Sequence, residues 1–287
     1  MSTPRDRAWT WDPTLFAGAA AYYDRGRTPY AAGLIGALTA ALGRDRPRQA
    51  GDRLLDVGCG PGTIALRCAP AFGEVVGLDP DPGMLREAAR LAQARNVTNV
   101  RWVQLRAEAL PAGLGEFRVV TFAASLHWLD RFAVFSAVRR MLTADGAVVH
   151  IDNPGYRRDA DATISLPYPP PPESAMEALR VHYLGLDRRA GQGVRNDSPD
   201  DEDAVFTAAG FAGPEVVVVP DQRVLRRSSD ELVAERFSFS GTAPHLFGDR
   251  VGAFEQDLRD LLARASPSGG FSVALRDNLL KIWRPLV

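Results

Sequence analysis

Asp56, Asp79 and the glycines Gly58, Gly60 and Gly62 carry the chemistry most readily legible in this chain. The run Leu54-Leu55-Asp56-Val57-Gly58-Cys59-Gly60-Pro61-Gly62-Thr63 sets glycines at alternate positions between an apolar stretch and a helical one. Glycine there permits a tight turn and lets a ligand approach bare backbone. Glycines alone leave the ligand open, because dinucleotide-binding loops use a related pattern. Asp56 narrows it. A carboxylate at the strand end repels a pyrophosphate placed on the following helix N-terminus, and suits a ligand with an ammonium group or another donor. The GxGxG spacing also departs from the GxGxxG of dinucleotide folds.

Asp79 closes the next apolar run, where a carboxylate can accept hydrogen bonds from both hydroxyls of a ribose. Its alternative role is a helix N-cap, since Pro80 and Asp81 follow it. Met84 is placed either to cover one face of an adenine ring or simply to pack in its helix. Ala107 and Glu108, after the third strand, stand where such folds read the adenine edge with a backbone N–H and a carboxylate; a solvated Glu108 is the alternative. Near the N-terminus, Tyr22, Tyr23 and Tyr30 can roof a site, and Arg27 can pair with a carboxylate.

These residues need a scaffold, and the middle of the chain supplies one. Strand-like runs at Arg53–Val57, Glu74–Asp79, Val100–Leu105, Arg118–Ala123 and Ala147–Ile151 alternate with helical spacing over Asp81–Ala94 and Arg131–Leu142. Strands separated by helix-length segments imply right-handed crossovers and a parallel sheet. After Asp152 the pattern breaks at Pro167 and Pro169–Pro172 and at the basic loop Arg188–Gly193. It resumes at Glu215–Val219, continues as largely helical Asp230–Ala265, and ends on a strand at Leu279–Arg284. The reading is one domain: a helical cap over 1–50, a core over 51–152, an insertion and helix over 153–210, and a C-terminal part over 211–287.

Composition excludes several classes. Hydrophobic residues make up 46% and charged residues 24% of 287, as in ordinary globular proteins. A formal net charge of −1 gives no overall field to collect nucleic acid or an anionic membrane. Cys59 and Cys68 have no zinc-site spacing and read as small buried hydrophobes. No signal peptide or membrane-spanning run is present, so a cytoplasmic location is expected.

In order along the chain, Asp56–Gly62, Asp79–Met84, Ala107–Pro111 and Ala124-Ser125-Leu126-His127-Trp128 resemble the motif series of class I S-adenosylmethionine (SAM) dependent methyltransferases. The likeness is to a small-molecule branch with a His-Trp pair after the fourth strand, and it covers about residues 15–152. Tyr23, Arg27 and Pro29-Tyr30 are similar to that branch's aromatic–arginine segment over the cofactor. The resemblance implies a Rossmann-like α/β fold: a seven-stranded, mostly parallel sheet with its last strand antiparallel, helices on both faces, an N-terminal helical cap and an insertion after the fifth strand. It implies SAM as cofactor and S-adenosylhomocysteine (SAH) as product, bound at the carboxyl ends of the strands by Tyr23, Arg27, Asp56, Gly58, Cys59, Gly60, Asp79, Pro80, Met84, Ala107, Glu108, Ala124 and Trp128. Many relatives carry an aspartate where this chain has Arg106, which sets the adenine contact apart here.

Methyl transfer requires an aligned acceptor and, for a hydroxyl or ammonium, removal of a proton. His127 is the candidate base; its alternative role is to shape the cofactor site through a bond to backbone. No metal is expected. The Asp/Asn-Pro-Pro-Tyr segment of amide- and nucleic-acid-methylating enzymes is absent, and so is a basic stripe. What remains is a small organic acceptor on oxygen, nitrogen or carbon, held beneath the N-terminal helices and the 153–200 insertion. Natural-product biosynthesis is the expected setting, with a monomer or homodimer and neither nucleic acid nor membrane as partner. A SAM- or SAH-binding protein without methyl transfer and a nicotinamide-dependent oxidoreductase are the competing readings.

Overall fold

Runs such as Leu54-Leu55 and Val75-Val76 are apolar at consecutive positions, the pattern of strands covered on both faces. In the computed structural model, which describes residues 12–43, 51–155, 166–187, 189–190, 193–194 and 202–286, they lie at the centre of one sheet. Its strands are β1 (Arg53–Val57), β2 (Glu74–Asp79), β3 (Val100–Gln104), β4 (Phe117–Ala123), β5 (Leu142–Asp152) and β6 (Phe211–Val219), joined by β9 (Asn278–Pro285). The order is β3-β2-β1-β4-β5-β9-β6. Strands β1 to β5 pair in parallel, while β9 runs antiparallel between β5 and β6. The expected seven-stranded, mostly parallel sheet is the one observed.

Alternate residues of each strand feed opposite cores. Leu55, Val57, Val120 and Phe122 face α5 (Arg131–Arg139) and α7 (Glu202–Ala208), where the rings of Phe135, Phe206 and Trp283 stack at 3.8 and 4.5 Å. Leu54, Val75, Val119 and Val149 face α2 (Leu34–Ala41) and α3 (Thr63–Cys68). The remaining crossover helix of this half, α4 (Pro82–Ala94), packs on β2 and β3.

A third core lies away from the sheet. Met176 of α6 (Glu173–Leu184), Leu232 and Phe237 of α8 (Ser229–Phe237), and Phe254 and Leu258 of α9 (Val251–Ala265) pack together. Beneath them, β7 (Val224–Ser228) and β8 (Gly270–Ala274) form an antiparallel pair. Helix α8 begins with a reciprocal cap: Ser228 Oγ accepts from Glu231 N–H, and Glu231 accepts from Ser228 N–H at 2.7 Å. The short N-terminal helix α1 (Ala20–Gly26) docks on α8 so closely that a Cβ on Gly26 would lie 2.5 Å from the Ala234 carbonyl.

Several boundaries differ from the sequence reading. Helix α5 stops at Arg139 rather than Leu142, because Leu142 already pairs with Phe117 and starts β5. Strand β6 starts at Phe211 rather than Glu215, its Gly213-Pro214 step absorbed by a register shift against β9. The β7–β8 pair lies in a stretch not read as sheet. Residues 1–11 and Arg188, Gly191 and Gln192 of the basic loop lie outside the described residues.

Candidate active site

Strand β1 delivers Asp56 and then a turn through Gly58, Gly60 and Gly62, with φ of 68°, 54° and 81°. These values favour glycine, and the surroundings demand it twice: a Cβ on Gly58 would sit 2.6 Å from Ser125 Cβ, and one on Gly62 2.5 Å from the Trp102 ring. Gly60 differs, since a Cβ there would meet nothing within 4 Å. Its backbone faces open space that a ligand can enter. The loop is tied to β2 by Gly58 and Cys59 N–H groups, both donating to the Leu78 carbonyl.

Both oxygens of Asp56 are engaged. One accepts from Thr121 Oγ1 at 2.9 Å, the other from the Ala65 N–H in the first turn of α3 at 3.1 Å. The residue is 1% exposed, and burial pushes its carboxyl up to about 7. Asp56 therefore braces the loop and caps α3 from a distance. Asp79 is 8% exposed; its oxygens accept from Gly60 N–H at 2.8 Å and Asp81 N–H at 2.9 Å. Burial raises its carboxyl to about 6. The N-cap of α4 is Asp81, which accepts from Gly83 and Met84 N–H, so capping does not account for Asp79.

Two cavities open along the carboxyl ends of β1, β2 and β4, the position where open α/β sheets take ligands. They share Tyr23, Gly58, Ala123 and Ala124 as a common wall. The first holds Asp79, Pro80, Met84, Ala107, Glu108 and Trp128, with Gly60 at its floor. Glu108 is anchored rather than free in solvent: it accepts from Asp130 N–H at 3.1 Å and meets Arg106 at 3.3 Å. The second holds Arg27, Tyr30, Asp56, Cys59, Asn153 and Glu235. Ala124, at φ 54°, turns the backbone after β4 between the two.

The N-terminal segment is fixed over the second cavity by polar staples. Asn278 accepts from Ala31 N–H at 2.7 Å, Asn153 donates to the Thr28 carbonyl at 3.3 Å, and Arg67 donates to the Ala31 carbonyl at 2.8 Å. Arg27 lies between the rings of Tyr23 and Phe239, at 4.6 and 4.4 Å, and donates to the Ser238 carbonyl. Tyr30 is half-buried against the core, and desolvation raises its hydroxyl pKa. Tyr22 turns away onto Phe237 in the third core and roofs neither cavity.

His127 sits in a one-turn helix over Leu126–Trp128 and lines neither cavity; its ring centroid is 4.5 Å from that of Trp128. Of the other histidines, His150 pairs with Glu202 at 2.7 Å and His245 with the Ala17 carbonyl at 3.0 Å. Sequence reasoning missed Leu15, Phe16, Thr28, Asn153, Glu235 and Phe239. Asn153 follows β5 directly and could have been placed by topology, whereas Glu235 arrives on α8, and Phe239 just after it, with no local signal. Among the described residues, cover over the second cavity comes from α1, α8 and Asn153–Gly155, while residues 156–165 and 195–200 of the expected insertion lie outside the described residues. Among the described residues, no three His, Cys, Asp or Glu side chains gather in a metal-binding group, and no helix is long and apolar enough to cross a membrane.

A doubly wound sheet with an antiparallel strand next to its edge, and paired cavities at the strand ends, is the arrangement in which open α/β folds take their ligands. Residues 54–146 match the family model of a methyltransferase domain. YcgJ, an uncharacterized methyltransferase of Bacillus subtilis, is 35% identical over 102 residues, covering 35% of this chain and 40% of that protein. The uncharacterized methyltransferase sll0829 of Synechocystis is 34% identical over 105 residues, covering 36% and 47%. The chain thus matches less than half the length of these curated relatives. The crystal structure of the Bacillus protein superposes with a TM-score of 0.49 and 23% identity, over 88% of this chain and 99% of that one.

Proposed function

We propose that the whole chain is a SAM-dependent methyltransferase acting on a small organic acceptor. The observation that carries this reading is the pair of cavities meeting at Gly58 and Ala124. One offers a buried carboxylate beside an open glycine; the other offers an arginine held between aromatic rings. Asp79 would accept from the ribose hydroxyls, Met84 and Trp128 would flank the adenine, and the Ala107–Glu108 turn would meet its edge. Arg27 would take the amino-acid carboxylate, with Tyr23 across the shared wall. Bound SAM supplies a sulfonium methyl, an electrophile with a good leaving group. The protein's part is to align the acceptor and exclude water, which the apolar lining of Tyr30, Ile64 and Phe239 serves.

His127 is proposed as a shaping residue rather than a base. Its absence from both cavities and its contact with Trp128 support that role. Two measurements test the functional reading: calorimetry with SAM and with NAD, and transfer of labelled methyl from SAM to small hydroxyl- and amine-bearing compounds. SAM binding with label in a product is expected. Binding of NAD without SAM would overturn the reading, and SAM binding without any label transfer would favour a non-transferring SAM-binding protein.

A further inference from the structure

The second cavity contains one charged group that neither the loop nor the proposed cofactor contacts engage. Glu235 lies inside α8, 5% exposed, and is one of the residues lining the cavity. Its Oε2 is buried without a hydrogen-bond partner, and among the described residues Glu235 forms no ion pair within 4 Å. The neighbouring arginines direct their Nη2 groups elsewhere, although Arg27 Nε and Arg227 Nε and Nη1 are, like Glu235 Oε2, buried without a hydrogen-bond partner. Arg27 donates to the Ser238 carbonyl, Arg227 to the Gly26 and Glu231 carbonyls, and Arg236 to Glu173 at 2.6 Å. The packing that places Glu235 here is the α1–α8 contact, where Gly26 lies directly against the Ala234–Glu235 backbone.

A buried carboxylate without a partner destabilises the fold that holds it. The attraction of the three arginines falls short of its desolvation, so the carboxyl is driven up toward its neutral form. A glutamine would fill the same volume without burying a charge. The group is thus poised for a partner that arrives with a ligand.

We propose that Glu235 is the acceptor-recognising residue of this site, its carboxylate accepting a hydrogen bond from a hydroxyl or amine of the small molecule to be methylated. The assignment rests on the methyltransferase reading above, and it selects acceptors that present a donor over purely carbon or carboxylate ones. The same chemistry has a second source, the ammonium group of the cofactor, and the experiment separates the two.

SAH is titrated calorimetrically into wild type and Glu235→Gln, with thermal melting of both proteins in parallel. Phenol and benzylamine are then added to the SAH-loaded proteins, with 13C labelling of the glutamate side-chain carboxyls and the Glu235 resonance identified by its loss in the variant. The expected result is SAH affinity within about twofold of wild type, a Tm unchanged or raised, and a Glu235 carboxyl resonance that shifts with the donor-bearing probes but not with toluene. A tenfold or greater loss of SAH affinity in Glu235→Gln would assign the residue to the cofactor and overturn the proposal. A lowered Tm would make it a structural charge, and no resonance shift with either donor probe would equally overturn it. Failure of wild type to bind SAH would instead sink the functional reading on which the proposal rests.

Discussion

Asp79 does two things that its position in the chain does not separate. It holds the glycine loop to the start of α4 through Gly60 and Asp81, and it presents the remaining lone pairs of the same oxygens to the first cavity. Asp79→Ala should weaken SAM binding by about 1–3 kcal/mol through lost ribose hydrogen bonds. Unchanged affinity by calorimetry would reduce Asp79 to a loop brace. His127→Ala addresses the other ambiguous side chain. A prop under Trp128 is worth roughly 0.5–1.5 kcal/mol of ring contact, so SAH affinity should fall about two- to tenfold. Intact SAH affinity with depressed turnover would return His127 to proton transfer. At this scale the glycines and Asp79 were legible because β1 and β2 are continuous apolar runs ending on them. The engagement of Asp56 was not, because Thr121 and Ala65 reach it only once β4 and α3 are packed. Glu235 was illegible for a plainer reason: a glutamate on a helix reads as surface, and only the tertiary contact with Gly26 buries it.

Between elements, the α1–α8 crossing decides whether the second cavity exists. Arg27 and Tyr23 come from the end of α1, Glu235 from the last turn of α8 and Phe239 from just beyond it; the two helices touch backbone to backbone at Gly26. Gly26→Ala would drive a Cβ to 2.5 Å from the Ala234 carbonyl, where no flexible side chain can yield. Overpacking of this kind costs roughly 1–3 kcal/mol. The expected outcome is a lower Tm and weakened SAH binding, with α1 exchanging its amide hydrogens faster than β1 or β2. A variant with native melting and native SAH affinity would show that the crossing is not what fixes the cap. The strands of the parallel half were legible to within a residue or two at β1, β2 and β3. The β7–β8 pair was not, because its strands are separated by two helices and carry Arg226 and Arg227 where a buried strand would be apolar. Local pattern predicts a strand from its own residues, and this pair is held by its partner and by the helices above it.

Taken over the whole molecule, the buried carboxylates couple cofactor binding to pH. Asp56 is raised to about 7 and Asp79 to about 6, both by burial, from an ordinary value of 3.8. The folded chain therefore binds more protons than the unfolded one between pH about 4 and about 7. Their contribution to stability is fully present below pH about 4 and is lost as pH rises through 6 to 7. A bound cofactor acts in the opposite sense. Its ribose hydroxyls and ammonium group favour the ionised carboxylates, so binding should release protons and grow tighter as pH rises through the same window. SAH titrated at pH 6.5 in buffers of different protonation enthalpy should show net proton release, diminished in Asp79→Asn. The affinity of wild type should rise between pH 5.5 and 8 while the Tm of the SAH-free protein falls relative to that of Asp79→Asn. An affinity flat across that range, with heats independent of buffer, would mean that the carboxylates at the strand ends serve the fold alone and that the cofactor is held by backbone and aromatic contacts.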